Sequence, residues 1–232
     1  MKQLIFIHGA GGTGAVWQYQ KERFPGSDAV TLPGRPEGEP RDSIDSYRQW
    51  LRDYIADRRY GAPVLAGQSM GGGIALSYAL AYPDETAALI LIGSGARLRV
   101  NPAFLKTMSD NIDKPPSWYR GLATGMYGAV EERVRESVLD TTCSFPVSLH
   151  LNDFLCCDRF DVMERLPELS LPVLVVCGDR DIMTPLKYSR FMAEKISGSR
   201  LVVIPDAGHM VFLEKPDEVN REIGKFMAEI GD

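Results

Sequence analysis

A serine with glycine two residues away on either side, Gly67-Gln68-Ser69-Met70-Gly71, follows the apolar run at residues 63–66. Between a strand and a helix, this G-x-S-x-G spacing forces the serine into a strained turn that lifts its Oγ out of the sheet, while the glycines let neighbouring backbone pass closely. The helix that follows aims its first amides at the same place. The pentapeptide alone equally describes a glycine-rich turn, since Gly and Ser are common loop residues. Three further segments add to it. His8-Gly9-Ala10-Gly11-Gly12 ends the first apolar run and can present backbone N–H groups, chiefly that of Ala10, which with the Met70 N–H would form an oxyanion hole. Gly178-Asp179-Arg180-Asp181 follows the run at 173–176, and Asp206-Ala207-Gly208-His209 follows the run at 201–204. The order along the chain is therefore Ser69, an Asp, then His209, with Asp179, Asp181 and Asp206 all near the relevant strand ends.

These residues need a scaffold, and the chain spells one out. Apolar runs at 4–7, 29–32, 63–66, 87–92, 173–176 and 201–204 suit strands buried on both faces of a parallel sheet. Helical patterns lie between them. After Ser43, the residues Ile44, Tyr47, Trp50, Leu51, Tyr54 and Ile55 recur at three- and four-residue steps until Gly61. Residues 71–82 read as a second helix stopped by Pro83. Thr184-Pro185 supplies a cap and first-turn proline for a third, closed by Gly198, and Pro216 opens a fourth. Strand alternating with helix means an α/β fold with a doubly wound, mainly parallel sheet of about six strands. Residues 97–167 break this rhythm. They lack a buried-strand pattern and carry Phe104, Met108, Trp118, Tyr119, Met126, Phe145 and Phe154, so they read as a helical cap inserted into a core of 1–96 and 168–232.

Composition narrows the function classes. The 232 residues are 44% hydrophobic and 25% charged, the balance of an ordinary globular chain. Lys plus Arg number 26 against 31 Asp plus Glu, a net charge of −5, which argues against a nucleic-acid partner because phosphate binding needs a basic face. The apolar start is broken by His8 and Gly9, too short for a signal peptide or membrane span, so a cytoplasmic protein with no membrane partner is expected. Cys143, Cys156, Cys157 and Cys177 form no C-x-x-C and read as small buried hydrophobes. With only His8, His150 and His209 and no H-E-x-x-H, neither a metal centre nor another cofactor is expected. His8 reads as a support for its loop, Trp17 as packing beneath it, and His150 as a surface or partly buried side chain.

From His8-Gly9 to the G-H-x-x-x-x-E-x-P stretch ending at Pro216, the chain resembles the α/β-hydrolase superfamily, its serine esterases in particular. Only residues 97–167 lack a recognisable motif. The resemblance implies Ser69 as nucleophile, Asp181 as the acid and His209 as the general base, with no cofactor. Because Met1 leads straight into the first strand, a sheet trimmed at its N-terminal side is expected. The implied activity is cleavage of a small carboxylic ester through an acyl-enzyme, in a monomer or homodimer. Trp118, Met126, Met108, Phe145 and Met210 are the expected substrate-binding side chains, since an apolar lid needs an apolar inner surface. Thioester or lactone hydrolysis, with peroxyacid formation as a side activity, is the alternative within the fold. A ligand receptor without turnover is the alternative outside it. Gly9-Ala10-Gly11-Gly12-Thr13-Gly14 also fits G-x-G-x-x-G, but the strand ending Val30-Thr31-Leu32-Pro33 lacks the acidic residue a dinucleotide ribose requires.

Overall fold

Val, Ile, Leu and Ala side chains on both faces of short strands leave neither face to water, and such strands are stable only between layers of helices. The computed structural model describes residues 2–231. Its strands are β1 (Leu4–Ile7), β2 (Asp28–Val30), β3 (Val64–Gln68), β4 (Ala88–Ile92), β5 (Val173–Gly178) and β6 (Arg200–Ile204). They form one six-stranded sheet in the order β2-β1-β3-β4-β5-β6, with every pairing parallel. The helices are α1 (Gln18–Arg23), α2 (Ile44–Asp57), α3 (Met70–Ala81), α4 (Pro102–Asp110), α5 (Arg120–Ala123), α6 (Glu132–Thr142), α7 (Val147–Arg159), α8 (Leu186–Lys195), α9 (Val211–Glu214) and α10 (Pro216–Glu229).

The strand pleat divides the core in two, because successive side chains point to opposite faces. Phe6, Ala66, Ile90 and Val176 share one cluster with Trp17, Phe212, Val219 and Ile223, whereas Ile5, Ile7, Leu65, Leu91 and Val175 share the other with Tyr47, Leu51, Ile74 and Met192. Trp17 lies between the Phe6 and Phe212 rings, at centroid distances of 4.9 and 4.3 Å. Helix α3 is buried along Met70–Leu80, as expected of a helix that is apolar all round. From β1 the chain passes outward to β2, then returns to the other side of β1 as β3. The C-terminal ends of β1 and β3 therefore flank the switch point where open α/β sheets form their crevice. No helix among the described residues is long and apolar enough to cross a membrane.

Three local readings change. The second strand stops at Val30 instead of Leu32, because the Leu32 N–H donates to His8 Nε2 (3.0 Å) and leaves the ladder. Strand β6 is not buried on both faces: it is an edge strand with Val203 38% exposed. Helix α8 starts at Leu186 without a Thr184 cap, since the Thr184 hydroxyl is engaged elsewhere. Between β4 and β5 the chain forms α4 to α7 with short 3-10 turns, and an isolated antiparallel bridge pairs Arg97 with Asp161.

Candidate active site

Ser69 sits in the tight turn between β3 and α3 with φ 52° and ψ −117°, a backbone region that costs a non-glycine residue about 1–3 kcal/mol. The turn closes only over small residues. A Cβ on Gly67 would lie 2.2 Å from the Gly71 carbonyl oxygen, and one on Gly71 would lie 2.2 Å from that of Ile7. The strained residue is held from several sides: Ser69 N–H donates to Ile92 O (3.1 Å), and Ser69 O accepts from Ser94 Oγ (2.8 Å) and from the Gly72 and Gly73 amides.

Beside it, the Gly9–Gly12 turn is closed by Gly12 N–H on Gly9 O (3.2 Å) and stiffened by His8, whose Nδ1 donates to the same oxygen at 2.8 Å. His8 is buried. Burial and the nearby Arg35 lower its pKa to about 3, so it stays neutral and structural. Ala10 lines the recess at Ser69, and Met70 opens α3, whose first amides have no acceptor within the helix.

Across the crevice, His209 Nδ1 lies 2.9 Å from Asp181 Oδ2. Asp181 also accepts the Met183 and Thr184 N–H groups on Oδ1, both at 2.9 Å, and the Thr184 hydroxyl on Oδ2 at 2.8 Å. Burial alone would push this carboxyl up, but the bonds from His209 and Thr184 outweigh it and hold it below the usual carboxylate range. An ionised Asp181 keeps the proton on Nδ1 and leaves Nε2 as the acceptor. That nitrogen bonds the Gln68 side-chain amide at 3.1 Å, and no hydrogen bond joins it to Ser69 Oγ among the described residues. The loop that carries the histidine is pinned by Glu214, which accepts from the Gly208 N–H (2.6 Å) and the Met210 N–H (3.0 Å). The other acids serve their loops: Asp179 accepts from Ala207 N–H at 3.4 Å, and Asp206 pairs with Arg180.

Ser69 opens onto two spaces of unequal size. A recess of about 30 Å³ is lined by Ala10, Gln68, Ser69, Tyr127, His209 and Met210. A cavity of about 830 Å³ runs from Ser69 and His209 past Leu98, Phe104, Met126 and Phe154. Met126 borders both spaces and Met210 the recess, whereas Met108, Trp118 and Phe145 line neither. Met108 faces inward from α4 and is buried in the core, and Trp118 packs against that same cluster as a partly buried side chain. His150 is not at the surface: it is fully buried and stacked on Tyr119 at 3.9 Å between centroids. Gln68, Thr184 and Glu214 escaped the sequence reading as site residues. Only Glu214, inside the G-H-x-x-x-x-E-x-P stretch, carried a signal there. No group of three His, Cys, Asp or Glu side chains fit to hold a metal occurs among the described residues.

The chain and its fold are similar to those of known proteins. A family model described as "Alpha/beta hydrolase family" matches residues 4–222. The chain belongs to that family. A pimeloyl-[acyl-carrier protein] methyl ester esterase of Nitrosomonas europaea is 27% identical, over 93% of this chain and 91% of its own length. Among solved structures, one titled as a thermophilic esterase is 31% identical with a TM-score of 0.80, covering 100% of this chain and 91% of its own. A thermophilic esterase from Thermogutta terrifontis is 25% identical with a TM-score of 0.88 over the same shares.

Proposed function

We infer that this alpha/beta hydrolase is a carboxylic ester hydrolase in which Ser69 is the nucleophile, His209 the base and Asp181 its orienting acid. The observation that carries the reading is a histidine fixed by Asp181 on one nitrogen and lining, together with a strained serine, the same two unequal spaces. The ester carbonyl binds with its carbon at Ser69 Oγ and its oxygen toward the Ala10 and Met70 N–H groups. As the Oγ–carbon bond forms, Gln68 yields Nε2 and His209 takes the serine proton. The two amides hold the developing oxyanion, and Asp181 stabilises the imidazolium. His209 then protonates the departing alcohol oxygen. Water attacks the acyl-enzyme by the same steps and releases the acid.

The small recess suits a short alcohol and the apolar cavity a longer acyl chain. This agrees with the methyl ester in the name of the Nitrosomonas relative. Residues 97–167 act as the cap, since Phe104, Leu122, Met126 and Phe154 wall the cavity together with the loops that follow β3, β5 and β6. A fluorophosphonate should label the wild type on Ser69 and leave Ser69→Ala unlabelled. Methyl esters of C6–C10 acids should turn over faster than acetates of C6–C10 alcohols. An adduct on another serine, or none, would remove the nucleophile; the reverse preference would remove the assignment of the two spaces.

A further inference from the structure

The mechanism leaves unused a fully buried ionic cluster beside the oxyanion loop. Asp153 on α7 and the Arg35 side chain are completely buried and paired, with Arg35 Nη2 donating to Asp153 Oδ2. The same oxygen accepts the Gly11 N–H at 2.8 Å, and Oδ1 accepts the Tyr47 hydroxyl at 3.0 Å. One turn earlier on α7, His150 closes the other side of Gly11: a Cβ there would lie 2.5 Å from His150 Nδ1, and Gly11 has φ +71°. Both His150 ring nitrogens lack a hydrogen-bond partner. Helix α7 thus grips the peptide that follows Ala10.

We infer that Asp153 is a positioning residue for the oxyanion hole: it holds the Ala10–Gly11 peptide through the Gly11 N–H, so that the Ala10 N–H stays aimed at the reaction centre. The inference rests on the reading of Ala10 as an oxyanion donor given above. A lone carboxylate so close to a developing oxyanion would raise the barrier by repulsion. Arg35 cancels that charge, and the acceptor is supplied without a net field against the reaction. A backbone amide at a loop is satisfied more cheaply by a neutral acceptor or by water, so burying an ion pair at this one points to fixed geometry more than to stability. Phe154 and Cys157, on the same stripe of α7 as His150 and Asp153, line the cavity. One helix therefore touches both the acyl site and the oxyanion loop.

The test separates acceptor from charge. Arg35→Met with Asp153→Asn keeps an acceptor for Gly11 and leaves no unpaired charge, and its kcat should stay within about threefold of wild type. Arg35→Met with Asp153→Leu removes the acceptor. There kcat and affinity for a trifluoromethyl ketone, which forms a tetrahedral adduct on serine, should fall together by about tenfold or more, with KM for the ester unchanged. Should that variant fail to fold, Asp153→Glu displaces the carboxylate by one methylene and should show the same kcat-only loss. Measurements are made well below each melting temperature. Unchanged kcat and ketone affinity in the folded variants, or a loss carried by KM, would overturn the inference. Fluorophosphonate labelling of wild-type Ser69 in the same preparation separates the two readings. Its absence overturns both, while labelling with unaffected variants overturns the positioning role alone.

Discussion

In the proposed reaction the Gln68 amide occupies the nitrogen that Ser69 needs. Its bond to His209 Nε2 at 3.1 Å must open before proton transfer, and a neutral hydrogen bond is worth about 1 kcal/mol net. Gln68→Ala should therefore raise the rate at which a small fluorophosphonate labels Ser69, by about fivefold. A labelling rate equal to or below wild type would show that the amide does not compete with the serine. At the opposite nitrogen, Asp181→Asn replaces an ionised acceptor with an amide that supports the other tautomer. Turnover should fall about 10³- to 10⁴-fold with melting little changed. Asp179→Asn and Asp206→Asn, whose carboxylates bond Ala207 and Arg180, should each stay within about tenfold, since surface and loop contacts of this kind contribute little. A larger loss at either would move the acid.

At the scale of elements, α7 is tied to the loop after β2 through charge as well as packing. Arg35→Met alone leaves Asp153 buried without its cation, and breaking a buried pair this way costs about 3–5 kcal/mol, whereas replacing both members with apolar side chains is often neutral. Chemical denaturation should show that non-additivity as a large double-mutant coupling energy. The 3-10 turn Thr124–Tyr127, which carries Met126, bears on a different property. Met126 borders both spaces at Ser69, so Met126→Trp should shorten the preferred acyl chain, while Trp118→Ala, away from both, should not. Rates across methyl esters of increasing chain length would reveal it; an equal shift from both substitutions would detach the cavity from the acyl site.

For the whole molecule, buried histidines set the response to acid. His150, neutral in the fold, has its pKa lowered to about 4 by burial and by Arg35, and His8 is lowered to about 3 by the same two causes. Below the ordinary histidine value of about 6.5 the unfolded chain takes up these protons first, so stability falls as pH drops from there toward the two lowered values, by about 1.4 kcal/mol per unit for each ring. Asp181, held below the usual range, adds a loss at still lower pH. Asp153, pushed up mainly by burial against the pull of Arg35, Gly11 and Tyr47, works the other way just above the ordinary carboxylate value. His150→Phe keeps the stack on Tyr119 and removes one of the two protons. Melts should show a shallower acid slope and recover about 2 kcal/mol at pH 5 relative to wild type. An unchanged slope would mean that His150 is protonated in the fold.

The alternation of apolar runs and helical patterns, read from the sequence, determined the parallel sheet, because strand burial and helix amphipathicity are local properties of residue order. The elbow at Ser69 was legible because its glycines keep a fixed spacing around the serine: Gly67 clears the Gly71 carbonyl four residues on, while Gly71 clears that of Ile7 on the neighbouring strand. The end of β2 at Val30 was not, since it depends on His8, just past β1, capturing the Leu32 amide. His150 was misread as near the surface, because the period of α7 does not reveal that Tyr119 and the Gly11 loop cover it from distant parts of the chain. The sequence likewise offered Met108, Trp118 and Phe145 as cavity residues, but which face of a cap helix meets Ser69 depends on how α4 to α7 dock. The grip of Gln68 on His209, the Thr184 bond to Asp181 and the burial of Arg35 with Asp153 each join residues far apart in the sequence or turned together only by a loop. Tertiary structure alone decided them, because a hydrogen bond is set by atomic position to within tenths of an ångström and residue type supplies only the capacity to form it.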